Sequence, residues 1–309
     1  MALYPIEGEV LTEYLFYFYQ YYGDELAFKF CQGTKQQSYT ASIVKILPIN
    51  LPPTLEEQRT IAEALSDVDD LIAELDALIE KKQQVKKGAM QQLLSGKKRL
   101  PGFDGEWEEK NIEEISKVFT KQTGFDYTKN IKPHLKNVGG SNSYPFIQNK
   151  DFEGISVNLN TDYYIPIKVA DTFPRLILDE RCLLFSISGR VGNVGVYSSK
   201  DIAFLGSAIA ISKFYNPELL DWVMWYLKSG EGQKKLLRNV KEGAHKNLTL
   251  GDIRKIEIPF PTLQEQKVIT QILSDMDAEI QALESKRDKY QQIKQGMMQE
   301  LLTGKTRLV

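Results

Sequence analysis

The 309-residue sequence has few of the residues that build metal sites and disulfides, with two cysteines and two histidines. Cys31 and Cys182 lie far apart and neither has a second cysteine nearby, which disfavours both a disulfide framework and a thiolate metal site. His134 and His245 show no spacing typical of metal ligands. We therefore expect no metal centre, and we expect a protein of the reducing cytoplasm.

The sequence also lacks a secretory leader and any run of about 18 apolar residues. We therefore expect neither export nor a membrane span. An excess of basic residues is missing too, because 39 Lys and Arg face 41 Asp and Glu, for a net charge of −2 at pH 7. Proteins that bind nucleic acids usually carry a basic balance. Any DNA-binding surface must therefore be local.

Catalytic motifs are missing as well. Residues 304–306, Gly-Lys-Thr, resemble the end of a phosphate-binding loop, but Gln299 stands where that loop requires glycine. The glycines at 189, 192 and 195 have GxxGxxG spacing, whereas dinucleotide sites use GxGxxG. The GxSxG motif and the Pro-Pro-aromatic motif of adenine methyltransferases are absent from the sequence. We expect no catalytic residue and no directly bound cofactor.

An internal repeat is the most informative feature that is present. Residues 53–100 align without gaps with residues 261–308, and 25 of 48 positions are identical. Both copies begin with Pro-Thr-Leu-x-Glu-Gln and end with Leu-Leu-(Ser/Thr)-Gly-Lys-x-Arg-Leu. Weaker similarity upstream links the aromatic residues 11–22 to residues 219–227. The repeated unit is therefore expected to be a globular domain that ends in a long helix.

Each copy predicts one long helix, of roughly 60 Å at about 1.5 Å per residue. The candidate N-caps, capping-box glutamates and stop signals recur in pairs: Thr54 and Thr262, Glu57 and Glu265, Gly96 and Gly304. Apolar residues at alternating spacings of four and three form a seam that suits a coiled coil. The residues expected to pair the helices are Ile61, Leu65, Ile72, Leu75, Ile269, Leu273, Ile280 and Leu283. The seam alone fits a purely structural stalk equally well.

The segment between the repeats predicts a mixed domain of strands and helices around a sheet. Short β-branched or aromatic runs bounded by Gly, Asn or Ser predict strands. The expected strands are 157–165, 182–187, 194–197 and 209–214, and the expected helices are 219–227 and 232–240. Together with the two long helices, this pattern gives an α+β fold class.

Two segments of this domain have side chains that suit nucleic acids. The glycine-rich loop 186–195 presents Ser188, Arg190 and Asn193, which are side chains able to bind bases or phosphates. A β-hairpin turn that needs positive φ would explain the same glycines. Residues 226–246 carry six Lys or Arg against two Glu. Such a stretch suits phosphates, but a solvated helix face has the same composition.

The paired helices with these opening and closing motifs, followed by Gly-Glu-Trp at 105–107, resemble the specificity subunits of type I restriction-modification systems. Residues 243–248 and the loop 186–195 also resemble recurring elements of that family. The resemblance implies two spacer helices that form an antiparallel coiled coil. It assigns the chain as follows: 1–52, C-terminal remnant of a first target-recognition domain; 53–100, first spacer helix; 101–260, second target-recognition domain; 261–309, second spacer helix.

The resemblance implies a non-catalytic DNA reader. Each recognition domain would bind half of a split double-stranded site, modification (methyltransferase) subunits would supply S-adenosylmethionine, and restriction (translocase and nuclease) subunits would supply ATP and Mg. Loop chemistry and resemblance together predict DNA contacts at Lys121, Lys150, Ser188, Arg190, Asn193 and Lys246. A homodimer would read a split palindrome.

Two other classes of protein share some of these features. A coiled-coil scaffold protein with a non-specific DNA- or protein-binding domain would share the helix seam, but it leaves the glycine-rich loop and the basic stretch unexplained. A stand-alone nuclease or methyltransferase would need the catalytic motifs that are missing. The DNA reader is therefore the interpretation that the sequence favours.

Overall fold

The computed structural model describes residue 5 and residues 7–30, 46–240 and 247–308. The chain forms two compact units: unit 1 consists of Met1–Gln83 and Ala278–Val309, and unit 2 of Gln84–Asp277. The helices are α1 (Thr12–Phe30), α2 (Leu55–Leu93), α3 (Ile112–Ile115), α4 (Gly124–Asp126), α5 (Ile167–Ala170), α6 (Leu220–Lys228), α7 (Gly230–Leu237), α8 (Leu250–Arg254) and α9 (Leu263–Leu301). The sequence repeat thus becomes the two long helices α2 and α9.

The start of each long helix is capped by a threonine. The Thr54 hydroxyl accepts a hydrogen bond from the Glu57 backbone N–H at 3.2 Å, and Thr262 does the same for Glu265 at 3.3 Å. The predicted return bond from each glutamate to its own helix start is wrong. Both carboxylates instead bind arginines, because a guanidinium offers two charge-assisted bonds to one carboxylate.

The arginines that bind these glutamates come from the ends of the repeats. Within unit 1, Arg307 binds Glu57 through Nε and Nη2. Within unit 2, Arg99 binds Glu265 through the same two nitrogens, each at 2.8 Å. Glu265 is fully buried. The chain reaches these positions through a left-handed glycine after each helix, at φ +68° for residue 96 and +75° for residue 304.

Unit 1 packs α1 on parts of both long helices. Its ion pairs join Lys82 to Glu279, Arg287 to Asp76 and Lys294 to Asp69. As the residue number increases along α9, the residue number of its partner on α2 decreases, so the two helix segments are antiparallel. The buried residues of this core are Tyr14, Tyr17, Phe18, Leu26, Leu47, Ile61, Ala62, Leu65, Met298, Leu301 and Leu302.

The helix segments of unit 2 are antiparallel as well, since Lys86 pairs with Asp277 and Arg99 with Glu265. The predicted α+β class with two long antiparallel helices is confirmed. Of the predicted pairing residues, Ile61, Leu65, Leu75, Ile269, Leu273 and Ile280 are buried, and Ile72 and Leu283 are half-buried. Within unit 2, Ile269 and Leu273 share a core cluster with Met90, Leu93 and Leu94.

The rest of unit 2 is built on two four-stranded sheets, in the orders β2-β11-β8-β9 and β6-β3-β10-β7, with two further strand pairs, β1-β12 and β4-β5. The strands are β1 (Glu108–Asn111), β2 (Ser116–Lys121), β3 (Ser143–Ile147), β4 (Phe152–Glu153), β5 (Ser156–Val157), β6 (Tyr164–Pro166), β7 (Ile177–Leu178), β8 (Cys182–Ser186), β9 (Val194–Tyr197), β10 (Ala203–Leu205), β11 (Ile209–Phe214) and β12 (Glu257–Phe260). A π-helix spans Tyr127–Ile131, and 3₁₀ turns span Lys132–His134, Asn149–Asp151, Pro174–Leu176 and Pro217–Leu219.

Three strands of the first sheet, β8, β9 and β11, are buried on both faces, whereas β2 at its edge is partly exposed. On one face, Leu183 and Phe185 of β8 join the cluster that contains Trp222 and Trp225 of α6. On the other face, Leu184 joins the cluster of the second sheet. Unit 2 is therefore a stack of helices, sheet and sheet.

The predicted strand 157–165 is wrong in its middle. β5 ends at Val157 and β6 begins at Tyr164. Between them, the Asn158 side chain accepts from the backbone N–H of Asn160 at 2.8 Å, and the Thr161 hydroxyl donates to the Tyr163 carbonyl at 2.7 Å. Short polar side chains that bond the local backbone turn the chain here, which an apolar pattern alone does not reveal.

No helix within the described ranges is long and apolar enough to cross a membrane.

Candidate nucleic-acid interface

One end of the first sheet collects the residues that the sequence predicted for DNA contact. In its register Ala210 lies opposite Lys121, Ile209 opposite Ser186, and Phe185 opposite Val194. β2 and β8 therefore end at the same end of the sheet at which β9 and β11 begin. The glycine-rich loop between β8 and β9 lies at that end of the sheet.

The loop is a tight hairpin turn. The Ser186 N–H donates to the Asn193 carbonyl at 2.8 Å, and the Gly192 N–H donates to the Ser186 carbonyl at 3.1 Å. Residues 189 and 192 have φ of +76° and +95°, which glycine adopts without strain. The turn that the sequence allowed is therefore present. It leaves the side chains of Arg190 and Asn193 exposed.

Helices α6 and α7 hold the loop from one side. The Gln233 side-chain amide donates to the Gly192 carbonyl at 3.0 Å and to the Leu227 carbonyl at 2.7 Å. The Lys228 ammonium donates to the carbonyls of Gly154 at 2.7 Å and Val194 at 3.3 Å. Burial lowers the pKa of Lys228. This lysine serves as a backbone clamp, a role that its place in a basic stretch did not indicate.

Two other segments hold the loop from its opposite side. The Asn149 side-chain amide donates to the Ser188 carbonyl at 2.5 Å. Ser188 also forms a bridge with Asn247, and the Leu248 N–H donates to the Ile187 carbonyl at 2.9 Å. The loop is thus fixed at both sides, which keeps its exposed side chains in place.

Two side-chain amides at this end of the sheet, one buried and one half-buried, were missed by the sequence reasoning. The Gln122 side-chain amide donates to the Leu205 carbonyl, and Asn149 donates to Ser188. The side-chain oxygens of both amides are buried and have no hydrogen-bond partner among the described residues. Single amides of this kind have no signature in sequence, because their burial depends on segments that are distant along the chain.

We use the name loop face for Lys121, Asn149, Ser188, Arg190 and Asn193. The structure brings the predicted residues Lys121, Ser188, Arg190 and Asn193 to this one sheet end. Lys121 is exposed, and it has no ion pair with any described residue.

The other two predicted contacts differ from these four. Lys150 follows Asn149 in the chain, but it forms an ion pair with Asp162, whose carboxylate raises the pKa of the lysine. Its charge is therefore partly neutralised within the protein. Lys246 lies outside the described residues, next to Asn247, which forms the bridge with Ser188.

The predicted basic stretch 226–246 is partly used for internal structure. Lys228 clamps two carbonyls, and Lys235 donates to the Glu257 carbonyl at 2.9 Å while lying over the Tyr226 ring. Lys234 and Arg238 are exposed. The composition of the stretch therefore overstated the positive charge that it presents to solvent.

The described cysteine and histidine residues have surroundings that explain them without redox or metal chemistry. Cys182 is fully buried, and desolvation raises the pKa of its thiol to about 12. His134 is exposed, with Nδ1 at 3.1 Å from the Asn130 carbonyl. Within the described residues, no group of three His, Cys, Asp or Glu side chains could hold a metal ion.

Comparison with known proteins identifies related sequences over nearly the whole chain. Residues 1–87 and 104–295 match the family described as type I restriction modification DNA specificity domain. The MjaX specificity subunit of Methanocaldococcus jannaschii is 29% identical over 325 residues, covering 100% of this chain and 71% of the relative. The MjaVIII specificity subunit of the same organism is 26% identical, covering 90% of this chain and 66% of the relative. The EcoBI specificity subunit of Escherichia coli is 26% identical, covering 77% of this chain and 53% of the relative.

Solved structures share the fold. The specificity subunit of a type I restriction-modification system from M. genitalium superposes with a TM-score of 0.64 at 19% identity, covering 95% of this chain and 73% of that chain. A chain of another type I restriction-modification system gives a TM-score of 0.57 at 18% identity, covering 95% of this chain and 71% of that chain. This chain therefore spans about two thirds to three quarters of these two structures and of the archaeal relatives.

Proposed function

Because the chain belongs to the family of type I restriction-modification DNA specificity domains, we propose that its loop face reads one half-site of a split DNA target. The observation that carries this proposal is the gathering of Lys121, Ser188, Arg190 and Asn193 at one end of a buried sheet. A rigid turn with exposed Arg and Asn side chains suits recognition, because base contacts need donors and acceptors held in a fixed geometry.

Each side chain of the loop face has a chemistry that suits a different part of DNA. Arg190 offers a bidentate donor for the O6 and N7 atoms of guanine, and Asn193 offers the donor and acceptor pair that matches adenine. Lys121, and Lys246 beyond the described ranges, would bind phosphates, which fixes position without reading sequence. Local placement of these groups compensates for a net charge of −2 over the whole chain.

The long helices α2 and α9 would serve as a spacer and as the docking surface for modification and restriction subunits. The protein itself would supply no catalysis and bind no cofactor. S-adenosylmethionine would belong to the modification subunits, and ATP and Mg to the restriction subunits. Antiparallel segments tied by buried Leu273 and by the Arg99–Glu265 pair would keep such a spacer at constant length.

The test of this function uses the protein co-expressed with its modification subunits. Sequencing of the methylated DNA identifies the target, and the binding of target and altered duplexes is then compared. Arg190→Ala should lower the preference for the target by about 1–3 kcal/mol if the guanidinium makes a bidentate base contact. Arg181→Ala is the matched control, because Arg181 precedes β8 at the opposite sheet end and pairs with Asp221.

Equal binding of all duplexes by the wild-type complex would favour the alternative, a coiled-coil scaffold with a non-specific DNA-binding domain. Methylation by the purified chain with S-adenosylmethionine alone would instead indicate an enzyme.

A further inference from the structure

A short basic helical segment lies directly after Lys121, and the predicted DNA contacts do not include it. α4, the π-helix Tyr127–Ile131 and the 3₁₀ turn Lys132–His134 follow one another without a break over residues 124–134. Between residues 117 and 136 there are five lysines and a single acidic residue, Asp126. This local excess of positive charge contrasts with the acidic balance of the whole chain.

The segment has a buried face and an exposed face. Ile131 is fully buried, and the Tyr127 ring stacks on Phe146 of β3 with the ring centroids 6.4 Å apart. On the other face, Phe125 is 67% exposed. The Lys129 ammonium lies over the Phe125 ring, 5.2 Å from its centroid. The buried face anchors the segment, so the exposed face is held in a defined position.

Lys132 lies three residues after Lys129, at the start of the 3₁₀ turn that follows the π-helix. Lys129 and Lys132 are both exposed, and neither forms an ion pair with another described residue. Asp126, by contrast, is occupied by hydrogen bonds from the Thr123 hydroxyl at 2.6 Å and the Asn130 amide at 3.2 Å. The exposed face is therefore cationic around one bare aromatic ring.

The segment is continuous with the loop face. Three peptide units separate Lys121 from Gly124, so their Cα atoms lie at most about 11 Å apart. The five further residues to Lys129 lie in α4 and the π-helix and add at most about 7.5 Å along the helical axis. Lys121 and Lys129 are therefore separated by no more than about five base steps at about 3.4 Å each. DNA bound at the loop face thus lies within reach of this segment.

We propose that Phe125, Lys129 and Lys132 form a second DNA-contacting surface, which binds the duplex beside the bases read at the loop face. The inference rests on the proposed DNA-reading function. The lysines bind phosphates, and Phe125 packs against the sugars and base edges of the minor groove, as apolar side chains do in other DNA-binding proteins. The surface adds affinity and holds the duplex in register without reading sequence.

The test measures the binding of fluorescent duplexes by the complex with modification subunits at several salt concentrations. The double variant Lys129→Ala/Lys132→Ala should weaken target and non-target binding equally, and the slope of log K against log salt should fall by about 2. Phe125→Ala should weaken binding by about tenfold, with little change in the salt slope. Shortening the duplex by about five base pairs on this flank should abolish both effects.

Matched controls exist at the other end of the same sheet. Lys117 lies near the start of β2 and pairs with Glu180, and Tyr215, which is 72% exposed, follows the end of β11. Lys117→Ala removes one lysine charge, compared with two in the double variant, and Tyr215→Ala removes a similar ring. Both control variants should leave binding and the salt slope unchanged.

The inference is overturned if the double variant keeps the wild-type salt slope and Phe125→Ala keeps the wild-type affinity, while Arg190→Ala still loses target preference. That result leaves the proposed function intact. A wild-type complex that shows no preference for any duplex rejects the proposed function itself. Equal losses in the control variants also overturn the inference, because the effect would then not be specific to this surface.

Discussion

At the scale of single residues, two side chains that bond the backbone of the glycine-rich turn hold the recognition residues in position. Gln233 and Lys228 bond carbonyls at 192 and 194, at the end of the turn that presents Arg190 and Asn193. A lysine that donates to two carbonyls in a partly buried position removes the cost of leaving those acceptors unpaired. Its effect on DNA would therefore be indirect, through the position of the loop.

We predict that Lys228→Met loosens the loop without removing a DNA contact. The thioether cannot donate to the carbonyls of Gly154 and Val194, so amide hydrogen exchange in residues 186–194 should rise, and stability should fall by about 1–3 kcal/mol. Preference for the target should decrease while the salt slope stays constant. Lys234→Met, at an exposed position of α7, is the control. Unchanged exchange in the loop would show that Lys228 does not position it.

At the scale of elements, the sequence repeat is also a repeat of contacts. Lys294 pairs with Asp69 and lies over Tyr17 in unit 1, and Lys86 pairs with Asp277 and lies over Trp225 in unit 2. The Arg307–Glu57 and Arg99–Glu265 pairs are equivalent in the same way. Each unit therefore uses a lysine and an arginine at equivalent positions of the repeat to join one copy of the repeat to the other.

We predict that the apolar seam, and not the exposed leucine on the same helix, determines the stability of this pairing. Leu273 is fully buried beside Met90, Leu93 and Leu94, whereas Leu263 is 41% exposed. Leu273→Ala should lower the free energy of unfolding by about 2–5 kcal/mol. Leu263→Ala should cost less than about 1 kcal/mol. Thermal or urea unfolding of both variants measures the difference, and equal losses would exclude a dominant role for the seam.

At the scale of the whole molecule, the described residues contain one mixed domain that carries one loop face. Association of two copies about a twofold axis would place two identical loop faces on one DNA. We therefore predict that such a dimer methylates, with its modification subunits, a split palindrome. Native mass measurement gives the copy number, and sequencing of methylated DNA gives the target. A dimer that methylates a strictly asymmetric site would contradict this prediction.

The sequence alone was sufficient for the long-range plan of the chain. The 208-residue repeat, the threonine caps and the glycine stops located both long helices to within a few residues, because these signals depend on neighbours along the chain. The strands 194–197 and 209–214 were located for the same reason. The family resemblance also came from local motifs in the repeats.

Only the tertiary structure decided what the charged and polar side chains do. Glu57 and Glu265 were expected to cap their own helices, but arginines more than 160 residues away engage them. Lys228 belongs to a basic stretch whose composition suits either phosphates or a solvated helix face, and in the fold it clamps two carbonyls. A long polar side chain forms a hydrogen bond with whichever partner the fold brings within about 3 Å, and the strength of that bond depends on how deeply it is buried. Neither the partner nor the burial can be derived from the sequence, because both depend on segments that meet only after the chain has folded.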